Sequence, residues 1–148
     1  MSYSKDVSKK LNELLEKNYD AEKGYKLAAE KVENQRLKQF FTSRAQERYD
    51  FGHQLKSEIS NFGETPEEGT SFAADAHRSW MNLKASLSGD KDEAVLEEAI
   101  RGEKAAVEDY EDILKDAEIP ASTANILMKQ KNSIVAALNE VKALEKQA

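Results

Sequence analysis

The sequence predicts an all-α protein, a bundle of four long helices and one shorter one. Three observations carry that expectation. Only two prolines and six glycines interrupt 148 residues, of which 34% are charged, and a composition rich in Ala, Leu, Glu and Lys favours long helices. Apolar residues recur at helical spacing, with no strand pattern and no internal repeat. The boundaries are written as capping signatures. The length fits a single domain over residues 1–148.

The first helix is expected over about residues 5–32, with Asn34 as the turn or cap into the second. That second helix carries Leu37, Phe40, Phe41, Phe51, Leu55, Ile59 and Phe62 and stops at Gly63. Thr65-Pro66-Glu67-Glu68 then supplies a cap hydroxyl, a proline at the first helical position and a reciprocal glutamate. A shorter third segment reaches Leu87, with Phe72, Ala76, Trp80 and Leu83 on one side. Gly89 closes it, and Asp90 with Glu93 repeats the capping signature. The fourth helix runs to about Asp116, where Ile119-Pro120 forces a break. The last helix fills the remainder with Leu127, Ile134, Leu138, Val141 and Leu144.

Composition removes several function classes. The absence of cysteine excludes disulfides, thiolate metal sites and cysteine nucleophiles. With only His53 and His77, chemistry needing several histidines is excluded as well. A net charge of −6 argues against nucleic acid or an anionic membrane as partner. No window has the roughly 18 consecutive apolar residues of a membrane span. The opening MSYSKDVSKK lacks a signal-peptide core, so the expected location is the cytoplasm.

The apolar stripes contain an anomaly. Leu11, Leu15, Tyr25, Ala29 and Val32 form one face of the first helix, yet that face passes through Asn18 and Glu22. The second helix has Phe40, Arg44, Glu47 and Phe51 in series, and the fourth has Leu96, Ile100, Glu103, Val107, Tyr110 and Leu114. With the turn at Asn34 at the top, Glu22 lies 12 residues before it and Glu47 lies 13 after it, so both sit about 18–20 Å down. If the third segment climbs back along the bundle, Glu103 lies 13 residues below Asp90 and joins the same layer.

A two-helix hairpin, a full-length crossover and a second hairpin with inward glutamates resembles the ferritin-like four-helix bundle. More narrowly, DAEKGY (20–25), HRSWM (77–81) and RGE (101–103) with Tyr110 resemble a bacterial ferritin-like family of unknown function. In di-iron members, two helices each give a Glu and two give Glu-x-x-His. By that resemblance Glu22 and Glu103 match the single-glutamate positions, and Glu47 starts a Glu-x-x-His whose last position is Asp50. Val135 and Leu138 stand where the second motif would fall, and Gln130 is the nearest inward polar group, about a turn too low.

Two readings of the layer follow. Glu22, Glu47, Asp50 and Glu103 could hold a divalent metal, with Fe, Mn, Mg or Zn as the candidates, oxygen-only sets suiting hard ions best. Alternatively the carboxylates are relics, held by Arg44 or Arg48 and by the hydroxyls of Tyr25 and Tyr110. His77, Arg78 and Trp80 form either a surface-binding patch or a packing contact of the crossover; His53 is a boundary residue. Gly24, Gly52 and Gly102 sit inside helices, where close helix approach explains Gly24 and Gly102 better than room for a ligand does. The expected function is binding or assembly, stress-associated by resemblance, rather than turnover. The rivals are a carboxylate-bridged iron-handling protein and a helical adaptor docking a partner or a second copy through its outer faces.

Overall fold

The computed structural model describes residues 2–66, 91–116 and 118–147. Four helices lie among them: α1 (Ser2–Lys31), α2 (Gln35–Asn61), α3 (Lys91–Leu114) and α4 (Ala121–Gln147). None is long and apolar enough to cross a membrane.

The boundaries follow local chemistry. Asn34 caps α2, its side-chain oxygen accepting from the amides of Arg36 at 2.8 Å and Leu37 at 3.2 Å. Past the C-terminus of α2, Gly63 adopts φ +78°, which a residue with a side chain takes only at a cost. The Pro120 carbonyl accepts from Ala124 at 2.9 Å, so α4 begins directly after the Ile119-Pro120 break.

Two sets of contacts fix the topology. At one end, here the top, the Asp92 carboxylate accepts from the amides of Glu33 at 2.9 Å and Asn34 at 3.2 Å. The start of α3 is thereby pinned to the α1–α2 turn. At the bottom, Lys10 pairs with Asp116, and the Thr123 hydroxyl donates to Glu58 at 2.5 Å. Thus α1 runs up, α2 and α3 run down and α4 runs up. The expected return of the chain to the end where the first two helices meet agrees with these contacts. The helix expected within 67–88, the Asp90 cap, and His77, Arg78 and Trp80 lie outside the described residues.

Helices approach closely within each hairpin, while the two hairpins face each other at wider spacing. The core between them is in two parts. A lower cluster holds Val7, Leu11, Leu14, Leu15, Leu55, Ile59, Leu127 and Ile134, and an upper one holds Tyr25, Ala28, Phe41, Ala45, Leu96, Ala99 and Val141.

The buried face of α2 runs through Phe41, Ala45, Arg48, Gly52, Leu55 and Ile59 at alternating intervals of four and three, with Leu37 and Phe51 also buried, which corrects the expected stripe. Phe40, Arg44 and Glu47 lie one position off it and are half-buried. The aromatic at Phe40 misleads because it packs edge-on against Phe41, at 5.3 Å between centroids, from the flank. On α1 the buried polar residues are Ser8, Glu16 and Asn18, of which Asn18 joins the mid-height layer, whereas Glu22 is displaced to one side.

Candidate functional site

Between the two clusters lies a hydrogen-bonded layer that joins all four helices. Arg48 of α2, 4% exposed, donates to Glu103 Oε1 of α3 at 2.5 Å and to Asn18 Oδ1 of α1 at 2.9 Å. A guanidinium has only donors, and that dictates every proton further along. With its oxygen turned to Arg48, Asn18 must donate through Nδ2, to the Leu14 carbonyl at 2.8 Å and to the Tyr110 hydroxyl at 3.0 Å. Tyr110 then donates to Gln130 Oε1 of α4 at 2.7 Å. Gln130 Nε2 in turn donates to Gln54 Oε1 at 2.8 Å and to the Phe51 carbonyl at 3.4 Å. The direction of the relay runs from Arg48 toward Gln54.

The electrostatics follow from burial. Dehydration alone would lower the Arg48 pKa, but Glu103, then Tyr25 and Tyr110, outweigh it and leave it raised. Burial, reinforced by the charge of Glu103, pushes the Tyr25 hydroxyl well above the usual phenol range. Burial also raises Tyr110, partly opposed by Arg48 and by the Asn18 donor. Glu103 is 2% exposed, and the Tyr25 hydroxyl stands beside its carboxylate together with Arg48.

Glu103 opens onto a cleft of about 450 Å³ between α1 and α3. Lys17 and Asp109, 2.9 Å apart, line the same cleft. Gly102 lines it too, and a Cβ added there would meet nothing within 4 Å. Close helix approach therefore does not explain Gly102; it borders open space. At Gly52 an added Cβ would stand 3.6 Å from Leu15, an ordinary packing contact.

The structure brings together five of the residues singled out from the sequence: Asn18, Tyr25, Glu103, Tyr110 and Gln130. Gln130 is reached despite its lower position because Tyr110 spans the extra turn. The other expected carboxylates are elsewhere. Glu22 pairs with Lys26 at 2.9 Å and lines a groove on the α1–α2 side. Glu47 pairs with Arg44 at 2.8 Å, and the exposed Asp50 accepts from Gln46 at 3.1 Å. The three-glutamate layer is therefore replaced by one glutamate and one arginine: α2 is rotated by one position from the expected phase, and Glu22 pairs with Lys26 on the flank of α1. Arg48 was legible only as an alternative partner; an interior arginine at the 4-3 spacing of Phe41, Ala45 and Leu55 is the signal that locates it.

As folded, these residues do not fit a paired-metal centre. Arg48 is bonded to Glu103, the other three carboxylates are engaged by Lys26, Arg44 and Gln46 and do not converge with it, and Val135 and Leu138 contribute no ligand. Among the described residues, three carboxylates do converge elsewhere: Glu93, Glu97 and Glu145 at the upper end have oxygens within 4.8 Å of one another. Sequence spacing gave no hint of this trio, since Glu145 belongs to another helix.

Comparison with known proteins places the architecture. A family model described as Domain of unknown function (DUF2383) matches residues 6–116. No curated protein matches. Among solved structures, the chain is similar to a point mutant of Dps1 from Mycobacterium smegmatis, with TM-score 0.82, 17% identity and 97% of each chain covered. It is similar to an N-terminal deletion mutant of Dps from the same organism, with TM-score 0.81, 17% identity, and 100% of this chain and 99% of that one covered. A bacterioferritin-related protein from Bacteroides fragilis, described as a dodecameric thioferritin, gives TM-score 0.75 and 16% identity over 95% of this chain and 84% of that one. At these identities the likeness establishes the fold: an all-α, ferritin-like four-helix bundle.

Proposed function

The chain belongs to the DUF2383 family, and from that premise we propose that it is a ferritin-like bundle whose central layer is held by an internal ion pair in place of a metal pair. It acts through binding or assembly rather than turnover. The observation that carries this is Arg48: a fixed, buried cation bonded to Glu103 and Asn18 at mid-height. A guanidinium there neutralises the carboxylate that a metal would otherwise need, and the relay through Tyr110 and Gln130 ties the two hairpins in register. A cytoplasmic, stress-associated role goes with this reading, as does self-association. The exposed Tyr49 on α2 and Met128 on α4 are large apolar groups that a second copy or a protein partner would cover.

Aerobic addition of Fe²⁺ tests it. The expected result is slow, protein-independent oxidation without a carboxylate-bridged ferric absorption. Stoichiometric uptake of two irons with rapid oxidation would overturn it.

That outcome would favour a second reading, a carboxylate-bridged iron-handling protein. It draws support from the fold shared with Dps and thioferritin, and from the one oxygen of Glu103 that Arg48 leaves unused. In that case Glu103 would supply the ligand oxygen, and Arg48 would have to swing away.

A further inference from the structure

We draw no further inference here: the strongest candidate, the side-chain cluster of Glu93, Glu97 and Glu145 at the upper ends of α3 and α4, is an acidic cluster beside which no second feature among the described residues points to a ligand.

Discussion

Both core clusters contain branched aliphatics and aromatics, but only the upper one contains buried alanines. Below the polar layer, Leu11, Leu14, Leu15, Leu55, Ile59, Leu127 and Ile134 are almost wholly enclosed. Branched aliphatics of this size interdigitate to crystal-like density. Above it, Ala28, Ala45 and Ala99 alternate with a stacked pair, Tyr25 and Phe41, at 5.8 Å between centroids. Alanine brings backbones together without filling the space beside them, and an aromatic fills it in one direction only. The α1–α3 cleft lies where alanines and Gly102 line the boundary of the upper half. A cleft of about 460 Å³ between α2 and α4, lined by Phe51, Gln54, Glu58 and Gln130, borders the lower half as well. The halves therefore differ in what lines their clefts rather than in having one.

The largest effects are expected where the halves meet. Arg48→Leu or Glu103→Leu alone leaves a buried charge without its partner and should cost about 3–5 kcal/mol. The double variant removes both charges and should recover most of that loss, since apolar replacement of a buried pair is often neutral or stabilising. Urea unfolding of the four proteins gives the coupling directly. Single variants as stable as wild type would mean that the layer is hydrated rather than sealed between the halves.

Within the halves, equal truncations should have unequal costs. Leu55 and Leu96 are both fully enclosed, but Leu55 belongs to the cluster without buried alanines and Leu96 to the one that contains Ala28, Ala45 and Ala99. Leu55→Ala should cost about 3–5 kcal/mol and Leu96→Ala about 2–3, because loss depends on how far the surroundings can collapse. Unchanged urea m-values would show that both report on the same unfolding. The reverse order would break the contrast.

A smaller contrast is in alkaline stability. Tyr25 and Tyr110 both hold their protons more tightly folded than unfolded. The unfolded chain therefore releases them first as pH passes about 10, and stability intact below that value falls as pH rises toward the folded pKa values. Burial raises Tyr25, and Glu103 adds to it, whereas Arg48 and Asn18 oppose burial at Tyr110. Tyr25→Phe should thus flatten the alkaline fall in urea midpoint more than Tyr110→Phe does. Equal flattening would mean that the two phenols share one environment.

What the sequence made legible follows how local each signal is. The caps at Asn34 and Gly63 and the break at Ile119-Pro120 depend on a few neighbouring residues and stand where expected. The crossover was legible at its ends, because one carboxylate, Asp92, reaches the turn at Asn34. The polar layer depends on helix phase, and phase is a property of packing. One aromatic at the flank, Phe40, rotates the apparent face of α2 by one residue and turns Arg48 outward and Glu47 inward. On α3 no such aromatic competes, and Glu103 and Tyr110 face as expected. The Glu93, Glu97 and Glu145 trio joins two helices, which no single-helix pattern reveals.

The smallest effect is at two of the helical glycines, Gly52 and Gly102. Glycine in a helix interior is about 0.5–1 kcal/mol less favourable than alanine, because it surrenders more backbone freedom on folding. At Gly52, in the lower half, a new methyl would enter ordinary contact with Leu15 at 3.6 Å and Tyr19 at 4.0 Å. At Gly102 the methyl would meet nothing within 4 Å. Gly52→Ala should therefore recover the backbone entropy and also bury a methyl, raising stability by about 1 kcal/mol or slightly more. Gly102→Ala should recover only the backbone part, about 0.5–1 kcal/mol, since its methyl remains against open space. Thermal melts of both single variants measure the difference. If Gly102→Ala gained as much as Gly52→Ala, the cleft would have to close over the new methyl, and the upper half would be as tightly packed as the lower. If it gained less, Gly102 would mark the border of a space kept open beside Glu103.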